Sequence, residues 1–139
     1  MASIEHSEIV SAEPERVFDL LHQVEDFADY SDLIRNIEPL GNDCYRWYVH
    51  AIGMDWTFDV AVVEAEAPRT LAWESRSGVD NQGRYHLEAV DEGTRVTLTL
   101  SYAIGNRLME KAVNRAAKPL VGKVSRQILA RVEARLNGQ

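Results

Sequence analysis

One cysteine, Cys44, stands in a chain of 139 residues, so an internal disulfide is excluded. A lone thiol suits a reducing cytoplasm rather than a disulfide-stapled secreted scaffold. Long hydrophobic runs are missing as well, and nothing approaches the roughly 20 apolar residues of a membrane-spanning helix. The N-terminus MASIEHSEIV has neither the basic start nor the apolar centre of a secretory signal. These absences predict a soluble, cytoplasmic protein. Histidine is sparse: His6, His22, His50 and His86 stand singly, with no zinc-ligand spacing among themselves or with Cys44. Nucleophile elbows, phosphate-binding glycine loops and Walker motifs do not occur. Neither a metal nor a nucleotide cofactor is expected.

What is present suffices for one domain over residues 1–139, because a chain of this size buries roughly two-thirds of its unfolded surface. Charge is unevenly divided. The net charge is −7, but the segment from Asn106 onward has eight basic and two acidic residues, a net of +6. The first 105 residues carry a net of −13. Either a basic helix packs on an acidic sheet, or Arg107, Lys111, Arg115 and Lys118 form a patch for an anionic membrane, RNA or an acidic partner. DNA is not an expected partner.

Element signals run in a clear order. A strand is predicted over Ser3–Ser11, then a helix from Pro14, which suits a first helical position, to about Val24. A second short helix is predicted over Phe27–Leu33. From Arg35 to Ala103 apolar residues recur with period two. Turn signals cut that stretch at Gly41-Asn42-Asp43, Gly53, Ala67-Pro68-Arg69, Gly78 to Gly83 and Asp91-Glu92-Gly93. Six strands joined by short connections imply antiparallel hairpins. Asn106 is a good N-cap for a final helix to about Leu136, with an apolar stripe from Leu108 to Val132. Pro119 predicts a kink near residues 115–119. The fold class is α+β, with about seven antiparallel strands and a long C-terminal helix.

This order is that of the helix-grip fold, and several stretches resemble it in detail. Ile9 to Phe18 resembles the strand-to-helix entry of the superfamily that holds START domains, the major birch-pollen allergen and polyketide aromatase/cyclases. Val24 to Tyr30 resembles its next turn. The run LAWESRSG, Leu71 to Gly78, resembles a Trp-containing strand of the polyketide cyclase/dehydrase group, with Gly83-Arg-Tyr as that group's Gly-initiated next strand. Asn106 to Val113 resembles the coenzyme-Q-binding and ribosome-association-toxin branch.

The resemblance implies a curved sheet gripping the helix around an apolar cavity; alternation alone is equally satisfied by a filled core. Implied lining residues are Trp47, Trp56, Phe58, Trp73, Tyr85 and Tyr102 from the sheet, Met109, Val113 and Ala116 from the helix, and Phe27, Tyr30 and Leu33 near the mouth. Ser75, Tyr85 and Tyr102 would supply hydroxyls. Three tryptophans suit a flat or polycyclic apolar ligand. His6 and Glu8 share a face with Val10, which is either internal, making them an acid–base pair, or solvated, as the start of a strand favours. No residue is forced into a catalytic role. The resemblance leaves three functions open: a cyclase/dehydrase acting on an aromatic polyketide-like chain, a quinone or lipid carrier, and a ribosome- or partner-binding module.

Overall fold

The computed structural model describes residues 2–138. Strand β1 (Ala2–Val10) leads into helix α1 (Pro14–His22) and a 3₁₀ segment (Val24–Asp29). Six strands follow: β2 (Ile34–Gly41), β3 (Cys44–Ala51), β4 (Met54–Glu66), β5 (Thr70–Gly78), β6 (Asp80–Val90) and β7 (Gly93–Ala103). Helix α2 (Arg107–Leu136) closes the order. The strands form one sheet, β1-β7-β6-β5-β4-β3-β2, in which every neighbouring pair is antiparallel. This is the helix-grip arrangement. No helix among the described residues is long and apolar enough to cross a membrane.

The hairpins follow from local chemistry. Asn42 and Asp43, at φ 55° and 59°, form the two-residue turn between β2 and β3, a left-handed pair that suits the twist of the flanking strands. The turn between β3 and β4 repeats this with Ile52 and Gly53, at φ 55° and 69°. A β-branched residue is rarely held there. Register shifts interrupt the β4–β5 ladder near Asp59–Val60 and Val62–Glu64, where bulges bend a strand.

Three expectations need correction. The second short helix is a 3₁₀ segment that begins at Val24, earlier than Phe27–Leu33. Gly83 does not belong to a turn: it lies inside β6, paired with Trp73, and only Val79 separates β5 from β6. The buried seam of α2 follows the predicted stripe at Val113, Ile128 and Val132 but departs from it at exposed Leu108 and Ala112 and adds Ala117, Ser125 and Leu129. Leu108 is 82% exposed, while Val113, Ala117, Ser125, Ile128 and Val132 are buried. Asn106 does cap the helix, its side chain accepting from the Met109 N–H at 3.1 Å, and the helix continues through Pro119 to Leu136.

The core has two parts. The larger joins α1, the 3₁₀ segment, the inner sheet face and the C-terminal half of α2, around Val17, Leu21, Val96 and Val132. The smaller lies under the N-terminal half of α2, where Ile4, Tyr102, Val113 and Ala117 pack with Trp56 and Met109. Between them the helix and sheet separate.

Candidate functional site

That separation is a cavity of about 270 Å³, near the lower end of small-molecule sites. Strand alternation builds its floor. Trp47 and Val49 come from β3, Phe58, Val60 and Val62 from β4, Leu71 and Trp73 from β5, Tyr85 from β6, and Leu98 and Leu100 from β7. The roof is the middle of α2, with Leu120, Val121, Val124, Ser125 and Ile128. Leu21, Phe27, Leu33 and Ile34 close one end. The spacing of 121, 124, 125 and 128 is that of one helical face.

Of the residues singled out from sequence, Trp47, Phe58, Trp73, Tyr85, Phe27 and Leu33 line this cavity. Trp56, Tyr102, Met109 and Val113 do not, because the first half of α2 packs down on them in the smaller core. There Trp56 Nε1 donates to the Ala51 carbonyl at 2.9 Å, and the Tyr102 hydroxyl donates to Asn114 Oδ1 at 2.6 Å. Ala116 also lies outside the lining. Tyr30 is a core residue whose hydroxyl accepts from Arg135 at 2.9 Å. Ser75 faces the β5–β6 connection, where its Oγ accepts from the Asn81 N–H at 3.0 Å.

Asn81, Ser125 and the α2 residues 120–128 were missed. Asn81 and Ser125 interrupt an apolar alternation with polar side chains, and the separation of helix from sheet after Pro119 is a tertiary outcome. The one available signal was Ser125 itself, a hydroxyl among Val121, Val124 and Ile128.

The aromatic floor is a connected set. Trp47 stacks on Phe58 with centroids 6.1 Å apart and 15° between planes. Phe27 touches both Trp47 and Tyr85, at 5.8 Å and 6.3 Å, and Tyr85 meets Trp73 at 5.5 Å. No charged side chain lines the cavity among the described residues. The one titratable group is the Tyr85 hydroxyl, whose ionisation burial pushes well above the ordinary phenol range. At neutral pH it is a neutral hydrogen-bonding group. Trp47 Nε1 and Ser125 Oγ are buried without a hydrogen-bond partner.

His6 lies against α2, and Glu8 beside it is half-exposed. His6 Nε2 lies 3.4 Å from Glu8 Oε1, and the imidazole sits beside Gly122 of the helix. His6 borders a groove with Glu5, Lys118 and Arg126, apart from the cavity. Among the described residues no group of three His, Cys, Asp or Glu side chains is placed to hold a metal ion. Charge pairing on α2 depends on position. Arg131 and Arg135 bridge to Asp32 and Asp26. Arg107, Lys111, Arg115 and Lys118 form no ion pair among the described residues, whichever of the two sequence readings applies to them.

Known proteins share this architecture. A protein from Thermus thermophilus is 24% identical, with 96% of this chain and 98% of that one covered and a TM-score of 0.78. A START superfamily protein from Mycobacterium smegmatis is 14% identical over 95% and 97% of the two chains, with a TM-score of 0.77. The Zhui aromatase/cyclase from Streptomyces sp. R1128 is 18% identical over 97% and 95%, with a TM-score of 0.70. At these identities the likeness is one of fold. No curated protein matches the chain. The family model described as polyketide cyclase/dehydrase and lipid transport matches residues 1–137, and the chain belongs to that family.

Proposed function

We propose that the protein binds one small hydrophobic molecule in the cavity between its sheet and α2, and holds or carries it without acid–base chemistry. The observation that carries this reading is a wall of aliphatic and aromatic side chains with no charged group on it. Desolvating apolar surface against such a wall is favourable by about 25 cal/mol per Å². A cyclase or dehydrase that abstracts a proton needs a base near its substrate. Burial holds the titratable candidate, Tyr85, in its protonated form, so no wall side chain among the described residues serves as that base. The family's description joins both activities, polyketide cyclisation and lipid transport; the apolar wall favours the second kind. Native mass spectrometry of freshly purified protein, followed by organic extraction, tests the reading. A released apolar molecule supports it. A clean apo mass, followed by no uptake of any apolar aromatic or lipid on titration, contradicts it.

A second reading concerns how such a ligand arrives. Ile52 and Met54 are exposed at the β3–β4 turn, and Leu108 is exposed beside Arg107 and Lys111. Trp56 of that hairpin packs in the same cluster as Met109, so the apolar tip and the basic start of α2 share one end of the molecule. The left-handed conformation is what this two-residue turn requires, but an exposed β-branched residue is not what it favours at Ile52. We propose that this end docks on an anionic lipid surface. Co-sedimentation with phosphatidylserine vesicles that weakens with salt and with Leu108→Asp supports docking; equal affinity for neutral vesicles contradicts it.

A further inference from the structure

Where β1 meets the middle of α2, a groove of about 430 Å³ lies apart from the cavity, bordered by Ile4 and His6 of the strand and Lys118, Gly122 and Arg126 of the helix. Three of its features have no explanation in packing. The first is Gly122. A glycine inside a helix costs stability relative to alanine, yet a Cβ added there would meet nothing closer than 3.5 Å. Alanine would fit, so contact does not require the glycine. The second is the pair of exposed cations. Farther along α2, Arg131 and Arg135 bridge to carboxylates, whereas Lys118 and Arg126 have no ion pair among the described residues. The third is His6, a polar side chain on the strand face that also carries buried Ile4 and Val10. Its Nε2 is sealed, 3.4 Å from Glu8 Oε1. Its Nδ1 lies instead toward Gly122.

These features meet at one place. A Cβ on Gly122 would stand 3.5 Å from Arg126 Nη1 and 3.6 Å from His6 Nδ1. A guanidinium from the helix and an imidazole from the strand therefore face the same space above the glycine. In the imidazolium both ring nitrogens donate, one toward Glu8 and the other into the groove. Lys118 borders that groove one turn before Gly122. Glu5 borders it too, but alternation turns its side chain to the opposite face of β1 from Ile4 and His6, where it is exposed.

We infer that this groove is an oxyanion site and that its ligand is a phosphate monoester, bound by Arg126 and His6 with Lys118 beside them. A carboxylate has two oxygens, which one guanidinium satisfies. Three donor groups approaching from two elements suit the three free oxygens of a monoester, whose larger charge also rewards them more. Lys118 and Arg126 are exposed, so the rest of the ester stays outside the protein. A soluble metabolite and a lipid headgroup both offer this chemistry. The inference does not depend on what the cavity binds.

Heteronuclear NMR of the full chain, titrated with glycerol 3-phosphate, tests it. Saturable shifts are expected around residues 4–6 and 118–126, with a dissociation constant of about 1 mM or below. Arg126→Gln and His6→Gln should each weaken binding about fivefold or more, the scale of a charge-assisted bond at a partly exposed site. Arg115→Gln removes an equal charge from the same helix outside the groove and should change affinity less than about twofold. Gly122→Ala should weaken the ester while leaving thermal stability equal or higher, a split that a merely structural glycine does not produce. Vesicles distinguish the two sources. Phosphatidic acid vesicles whose binding falls with Arg126→Gln, while phosphatidylserine vesicles are unaffected, support a headgroup. Ester binding with no such difference supports a soluble ligand. Shifts that do not saturate, acetate bound as tightly as the ester, or equal losses in Arg126→Gln and Arg115→Gln would overturn the inference. Each of these leaves cavity binding and the docking of Leu108 standing.

Discussion

The benzo ring of Trp73 lies across Gly83 of the neighbouring strand, so close that a Cβ at residue 83 would overlap it. Gly83 has ordinary strand geometry, so the glycine is required by contact rather than by backbone angle. Trp73 is thereby held flat enough to floor the cavity beside Tyr85. We expect Gly83→Ala to push the indole toward the cavity and to destabilise the fold by about 1–3 kcal/mol, the range for overpacking. Urea denaturation and the shift of tryptophan emission measure both effects. An unchanged midpoint and spectrum would show that the ring moves aside freely.

Ser125 should tolerate the loss of its hydroxyl. Removing an orphaned buried hydroxyl takes away a desolvation cost of about 1–3 kcal/mol, partly offset by the small void left behind. Ser125→Ala is therefore expected to leave the empty protein equally or more stable by thermal denaturation. A clear loss of stability would mean that the hydroxyl has a structural partner.

Tyr85 governs part of the alkaline limit. Burial raises its ionisation well above that of a free phenol, so the unfolded chain loses this proton first. The resulting stabilisation is complete below about pH 10 and is lost as pH climbs past that value. Tyr30, Tyr45 and Tyr102 are raised too, chiefly by burial. Tyr85→Phe should therefore make the alkaline loss of stability shallower without abolishing it. Denaturation midpoints between neutral and strongly alkaline pH check this, with tyrosinate absorbance as the companion signal.

At the acid end the outer sheet face contributes through Arg46, which donates to both Asp59 carboxylate oxygens at 2.8 Å and 3.1 Å. These bonds hold the Asp59 carboxyl below its ordinary range. Its contribution is present above about pH 4 and disappears as pH falls through the depressed value. Asp59→Asn should flatten the acid limb of stability and cost less at neutral pH than the Gly83 substitution, since Arg46 is partly exposed and the pair is screened. Denaturation midpoints of both proteins at neutral and acid pH decide it.

Much of this fold is legible from alternation and turn chemistry. The faces holding Trp47 with Val49, Phe58 with Val60 and Val62, and Leu98 with Leu100 were readable because a strand's period is two and the apolar set can face only one way. Asn106 and the Asn42-Asp43 turn were readable for their side-chain and left-handed preferences. The helix was less transparent. A 30-residue helix with alanines, a glycine and a serine among its apolar positions has more than one plausible buried stripe. Only contact with the curved sheet selects the seam through Ala117 and Ser125 over the one through Leu108 and Ala112. Trp56 and Tyr102 show the same limit: alternation put them on the inner face, but where the helix touches down decides whether that face is core or cavity.

The central claim is that the space between sheet and α2 is a binding site rather than a packing fault. Titration with an apolar fluorescent dye, on the wild type and on Val124→Phe, tests it most directly. The phenylalanine fills the roof of the cavity and should leave the protein folded. The account predicts saturable uptake of one dye molecule by the wild type and a loss of at least tenfold in affinity in the filled variant. Equal dye binding by both folded proteins would contradict it.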